Sequence, residues 1–201
     1  MTRPENPALI AAIRKAVPDL TAKKDPSAVT MREIAAACGV TPTTIYYYFK
    51  NKGRLFAAVK LDIIDDLDTI LSAAYNTDDP VKKQLTDLMR AFIGWYIENP
   101  RMADLVFDKL TPAADLAEES LAQYFKANRH AYKIISRGKQ TGEFHAGDLD
   151  VDANLGLAFM YGVARLFIHR RLAPRFWKDV TPLADRAIEL FLSGLRAQKS
   201  R

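Results

Sequence analysis

Cysteine occurs once in the 201 residues, at Cys38, so no intramolecular disulfide can form and a reducing cytoplasm is the expected compartment. No stretch alternates apolar and polar residues between hairpin turns, which argues against a sheet. No apolar run reads as long enough to cross a bilayer, and no charged, apolar, small-residue succession at the N-terminus suggests a signal peptide, so no membrane partner is expected. Histidine is sparse: His130, His145 and His169 are scattered, without a His-x-x-x-His or HExxH pair. A glycine-rich phosphate loop and a Gly-x-Ser-x-Gly elbow are also missing. These gaps predict a protein that is not an enzyme, with no cofactor and no metal. Asp62, Asp65, Asp66 and Asp68 alternate with Ile63, Ile64 and Leu67, the pattern of a solvated helix face. Residues 142–152 read as a loop and cap without EF-hand spacing.

What is present is an apolar content of 49%, which excludes a disordered chain. Charge is unevenly placed. Residues 1–60 hold ten Lys/Arg against four Asp/Glu, and residues 61–201 hold nineteen against twenty. The basic excess therefore belongs to the N-terminal part, as a polyanion-binding head requires.

Within that part, residues 29–52 (VTMREIAAACGVTPTTIYYYFKNK) read as two short helices joined by a glycine turn. Thr30 and Glu33 have capping-box spacing, and Val29 with Ile34 forms the matching hydrophobic staple. Gly39 suits a left-handed helix end, Thr41 a second N-cap, Pro42 a first turn, and Val40 with Ile45 a second staple. Two capped helices about a glycine turn are a helix-turn-helix signature. On a helical repeat Ile45 and Phe49, with Tyr48 beside them, form the buried face, while Thr43, Tyr46 and Tyr47 point outward with Thr44 at the edge. Hydroxyls and phenols followed by Lys50, Lys52 and Arg54 suit phosphates and base edges. Thr43 and Thr44 are the expected base contacts, with Pro42 and Tyr47 against thymine methyls. Thr30, Arg32, Thr41, Tyr46, Tyr47 and Lys52 are expected on phosphates. Cys38 reads as a small buried residue closing the first motif helix.

The run MREIAAACGVTPTTIYYYFKNKGRLFAAV resembles the N-terminal DNA-binding domain of the tetracycline-repressor (TetR) family of bacterial regulators. There a Tyr-x-Tyr-Phe-like run is followed by a Ser- or Asn-Lys pair that opens a long fourth helix; here these are Tyr46 to Phe49, then Asn51 and Lys52. The resemblance covers about thirty residues; the rest of the chain agrees in length and helical layout only. One departure stands out. Leu9, Ile10, Ile13 and Val17 make an apolar stripe that Pro18 interrupts, so the first helix is expected to stop or kink near Val17. A polar connector, Thr21 to Ser27, follows; its Lys23 and Lys24 read either as a solvated loop or as phosphate contacts.

Asn6-Pro7, Asp79-Pro80, Asn99-Pro100, Thr111-Pro112 and Thr181-Pro182 each place a capping side chain before a proline, the mark of a helix start. The expectation is an all-α chain of about nine helices, at 7–17, 31–38, 42–49, 52–75, 80–98, 100–109, 112–140, 150–173 and 182–198. A three-helix DNA-binding domain (1–62) would precede a larger effector-binding and dimerisation domain (63–201). In the last two helices Leu155, Ala158, Gly162 and Leu166, with Ala187, Phe191 and Gly194, follow stripes that need burial beyond their own domain. The resemblance implies a homodimer built from these two helices, although a wholly internal core gives the same pattern. Met89, Phe92, Trp95, Tyr96, Met102, Phe107, Tyr124, Phe125, Phe159 and Met160 are placed where the resemblance implies an effector cavity; plain core is the competing reading. The functional expectation is a DNA-binding regulator, a dimeric repressor released from a palindromic duplex operator by a small lipophilic effector. The alternative is a helical small-molecule carrier or enzyme whose N-terminal domain does not bind DNA.

Overall fold

The computed structural model describes residues 6–108 and 126–195. These hold nine α-helices and no strand: α1 (Pro7–Thr21), α2 (Met31–Ala37), α3 (Pro42–Tyr48), α4 (Lys52–Ala73), α5 (Val81–Glu98), α6 (Pro100–Ala103), α7 (Arg129–Gln140), α8 (Leu149–Ile168) and α9 (Thr181–Leu195). Short 3-10 turns at Pro26–Ala28, Lys126–Asn128 and Pro174–Phe176 join them, and α6 runs on into a π-turn at Asp104–Asp108. The expected segment 112–125, with Tyr124 and Phe125, lies outside the described residues. Two compact units divide the described chain: residues 6–65 with 101–108, and residues 66–100 with 126–195.

In the first unit α1, α2 and α3 pack around Leu9, Ile13, Val17, Ile34 and Ile45, each at most 4% exposed. Of the two outcomes expected at Pro18, the stop does not occur: α1 continues through the proline to Thr21. Only one turn follows the proline, so a single intrahelical bond is forfeited. The Pro18 carbonyl in turn accepts from the Thr21 hydroxyl at 3.2 Å and the Ala22 N–H at 3.0 Å, and Ala16 to Pro18 are buried. Asn6 caps this helix by accepting from the Leu9 N–H at 3.1 Å. The other proline-marked starts differ in detail. Pro80 itself occupies the cap of α5, and α9 begins at Thr181, whose N–H is accepted by Asp179 at 2.9 Å.

Lys60 of α4 is 5% exposed, and burial pulls its ammonium down to about 8 from an ordinary 10.5. Between these values the unfolded chain binds more proton than the folded one, so this group adds stability as pH rises through that window and imposes a constant cost below it. Lys60→Met is expected to be about 2–3 kcal/mol more stable than the parent at pH 7. Chemical denaturation along a pH series should show the difference shrinking between 8 and 10.5.

In the second unit α5 inserts Leu85, Leu88, Met89, Phe92, Trp95 and Tyr96 into the core. α8 buries Ala153, Gly156, Met160 and Ala164 along one stripe. At Gly156 the Phe191 ring of α9 comes so near that an added Cβ would sit 3.0 Å from it, whereas a Cβ at Gly162 or Gly194 would meet nothing within 4 Å. Close helix approach therefore depends on Gly156. Contrary to the expectation that no run is long enough, α8 is by length and composition alone sufficient to cross a bilayer, with Asp150 and Asp152 near its start.

Asp68 corrects another expectation. It is 5% exposed rather than solvated, and accepts from His130 Nε2 at 2.9 Å and Arg129 at 2.9 Å, with Lys126 at 3.4 Å. His130 Nδ1 lies 3.0 Å from the Tyr75 hydroxyl, so a chain of polar contacts ties the end of α4 to α7. Such a buried carboxylate persists because its partners replace the water it has lost.

Candidate nucleic-acid interface

The helix-turn-helix is built as its sequence spacing requires. The Glu33 N–H donates to Thr30 Oγ1 at 3.2 Å, while the Thr30 N–H and hydroxyl both donate to Glu33 Oε2 at 2.8 Å, completing the capping box. Val29 and Ile34 are buried as the staple requires, at 1% and 0% exposure. Gly39 then turns at φ +68°, a region that penalises a side chain, and the Val40 N–H reaches back to the Ala35 carbonyl at 3.0 Å. Thr41 caps α3 by accepting from the Thr44 N–H at 3.3 Å, and Pro42 occupies the first turn.

α3 shows two different faces. Ile45 is wholly buried, whereas Tyr46 and Tyr47 are 51% and 53% exposed. Thr43 is exposed as well, and Pro42 and Thr44 are half-buried. Phe49, expected to be buried beside Ile45, is only half-buried at the cap that ends the helix. The Thr44 hydroxyl lies 3.0 Å from that of Thr41, so a donor at the helix entrance is already shared between them. Tyr47 leans edge-on against Tyr48 with ring centres 5.2 Å apart, which orients its phenol. Thr30 and Arg32 are exposed on the α2 side.

Two lysines take other tasks than those read from sequence. Lys52 was expected on phosphates. Its ammonium instead donates to the carbonyls of Pro26 at 3.0 Å, Ser27 at 2.7 Å and Val29 at 2.9 Å, which occupies all three of its N–H groups. The 3-10 turn at Pro26–Ala28 aims those carbonyls toward α4, a convergence that no sequence spacing announces. Lys24 ion-pairs with Glu33 and so ties the connector to the capping box. That ammonium, followed by the Thr30 N–H and hydroxyl, holds the Glu33 carboxyl down at about 2. Cys38 is half-buried, and burial pushes its thiol up, away from the reactive thiolate.

The expected effector and dimer residues separate differently from their sequence grouping. Phe92 and Met160 line a cavity in the second unit with Leu71, Leu88 and Leu157, and Asn128, Tyr132 and Asn154 supply polar atoms at its wall. Met89, Trp95 and Tyr96 are core side chains outside that lining. Phe107 lies half-buried in the first unit, and Phe159 is 40% exposed on the outside of α8. The cavity has room for a volume of about 20 Å³, enough for about one water molecule.

On the outer side of α8 and α9, Val151, Leu155, Phe159, Leu166 and Leu190 are each 40–54% exposed. Ala158 and Gly194 are exposed there too, and Gly162 and Ala187 half-buried. Phe191, grouped with this face in the sequence reading, is instead 7% exposed and packs inward over Gly156, 5.8 Å from Phe159.

Comparison with known proteins agrees with this geometry. Residues 13–59 match the family model described as bacterial regulatory proteins of the tetR family. A curated relative, the probable HTH-type transcriptional regulator YttP of Bacillus subtilis (strain 168), is 25% identical over 121 residues, 59% of this chain and 58% of the relative. A regulatory protein in the tetR family from Rhodococcus RHA1 superposes with TM-score 0.78 at 25% identity, covering 97% of this chain and 100% of its own. The transcriptional regulator FadR from Bacillus subtilis, solved in complex with stearoyl-CoA, shares the fold with TM-score 0.76 at 17% identity over 92% of this chain and 99% of its own. Residues 13–59, which carry the capped helix-turn-helix, thus match the tetR family of bacterial regulatory proteins, and the described chain shares the fold of solved tetR-family regulators.

Proposed function

We propose that the chain is a sequence-specific DNA-binding transcriptional regulator, a homodimeric repressor whose residues 1–62 read a palindromic duplex and whose residues 63–201 dimerise and receive an effector. The observation that carries this reading is α3 itself: Ile45 is sealed inside while Tyr46, Tyr47 and Thr43 face outward. A helix anchored by one buried residue and bearing hydroxyls on its free side fits a major groove. Thr43 and Thr44 read base edges, Pro42 and Tyr47 touch thymine methyls, and Thr30, Arg32, Thr41, Tyr46 and Tyr47 position the helix on phosphates. One short helix has limited reach, so two copies held about 34–36 Å apart are needed to read successive grooves. The outer apolar stripe of α8 and α9 supplies the contact that pairs them.

The effector proposed is a small lipophilic molecule entering the cavity lined by Leu71, Leu88, Phe92, Leu157 and Met160. The neighbour FadR, with the same fold, is solved in complex with stearoyl-CoA, whose acyl chain is lipophilic, which supports that class. A space for one water does not admit such a ligand, so binding has to part the surrounding helices. Occupancy then favours one arrangement of the dimer over another, and a coupling of about 1–3 kcal/mol is typical of such linkage.

Selection of bound duplexes from a random pool at fixed salt tests the reading. The expected outcome is an enriched inverted repeat with half-sites about one helical turn apart. A pool with no enriched sequence would overturn it.

A further inference from the structure

The segment joining α8 to α9 carries Arg170, Arg171, Arg175 and Lys178, with no carboxylate between Ile168 and Asp179. All four are exposed, and among the described residues none has an acidic partner. Several other cations of the second unit face acids: Lys83 meets Asp79 and Asp87, Arg90 meets Asp185, Lys139 meets Asp152, and Arg186 meets Glu189. Without these four, residues 61–201 would hold fifteen cations against twenty acids, so the loop is a positive island on an acidic body.

The island is also held in place. Arg170 has φ +52° and is the single non-glycine residue at positive φ among the described residues. It stands just past the end of α8, where glycine is the usual occupant because a side chain there costs energy. The Arg170 N–H donates to the Phe167 carbonyl at 2.9 Å, and the Arg171 N–H to the Leu166 carbonyl at 2.8 Å. The Arg170 guanidinium lies over the Trp177 ring at 5.9 Å and that of Arg175 over Phe176 at 4.6 Å. The Trp177 indole N–H donates to the Leu172 carbonyl at 2.9 Å. Ring faces thus steady two guanidinium planes while their edges still offer donors, which suits bidentate contact with phosphate. A bilayer surface is served less well, because the Trp177 face is already covered by Arg170 and its N–H is turned to backbone.

We infer that the 170–178 loop is a second phosphate-binding surface for duplex DNA, acting on the sugar–phosphate backbone apart from the bases read by α3. This rests on the DNA-binding reading above, and the test separates the two. The full chain and its R170Q/R171Q/R175Q/K178Q variant are titrated with a duplex several turns long that contains the selected site, across a salt series. The expected result is a log–log salt slope flatter by about two or more in the variant, with the ranking of single-base operator changes preserved. Restoring charge as R170K/R171K/R175K, with Lys178 kept, should recover most of the slope. An unchanged slope in a variant with parental melting and oligomeric state overturns the inference. So does loss of binding to phosphatidylserine vesicles with no change on DNA, which would make the loop a membrane contact. If the parent shows no sequence preference at all, the operator reading fails, while the slope comparison on random duplex still decides the loop. Should the fourfold variant fail to fold, Arg170→Gly serves instead. It relieves the left-handed backbone, so its melting temperature should not fall while its salt slope flattens by about one.

Discussion

Lys52→Ala is expected to lower the stability of the N-terminal unit by about 2–3 kcal/mol, a cost set by removing a charged donor from three carbonyls. The ammonium closes the 3-10 turn at Pro26–Ala28 onto α4 and lies 5.9 Å from the Phe56 ring, so its loss leaves the connector before α2 without its tie. The sequence reading gave this lysine to a phosphate, which would leave stability untouched and flatten the salt slope by about one unit. The two roles separate in one experiment. Denaturant unfolding should show a reduced midpoint for the variant, and DNA titration at low temperature, where the unit remains folded, should show the parental salt slope. A parental midpoint with a flatter slope would return Lys52 to the phosphate backbone.

The second large effect is expected at the outer face of α8 and α9. Leu155 is 48% exposed and Leu190 52%, and with Val151, Phe159 and Leu166 they leave an apolar surface that a solvated monomer rarely keeps. Leu155→Asp combined with Leu190→Asp should yield a folded monomer by sedimentation, because neither side chain supports the internal core. Operator affinity should then fall by at least about a hundredfold, since the second half-site contact is no longer intramolecular. Phe191→Ala separates the inner from the outer side. It should lower stability by about 3–5 kcal/mol, because Phe191 packs over Gly156 inside the unit. A double aspartate variant that remains dimeric would remove these two helices from the interface.

The local rules that succeeded in the sequence are those that act within a few residues. Thr30 with Glu33, Val29 with Ile34, Gly39, and Thr41 with Pro42 are written at fixed spacing, and each takes its expected place. The 3.6-residue repeat alone places Ile45 inward and Thr43, Tyr46 and Tyr47 outward, and it fails at Phe49, where the helix has already ended. What the sequence left hidden are contacts between distant segments. Lys52 meets carbonyls 23–26 positions away, and Asp68 meets His130 62 positions away, so neither partner is visible from neighbouring residues. The same limit explains Phe159 and Phe191. Both are apolar on helices that are apolar on two sides, and only the packing of α8 on α9 decides which ring turns outward. At Pro18 a local penalty did not end the helix, and Ala16 to Pro18 are all buried.

Relative affinities of the parent and Thr43→Ala for the selected operator and each of its single-base changes test the central claim most directly. If α3 lies in the groove by its outward face, the variant should lose discrimination at one base pair in each half-site. That loss should be worth about 1–3 kcal/mol, with the other positions unaffected. A loss spread evenly over all positions, or none at any, would contradict the placement of this helix against the bases.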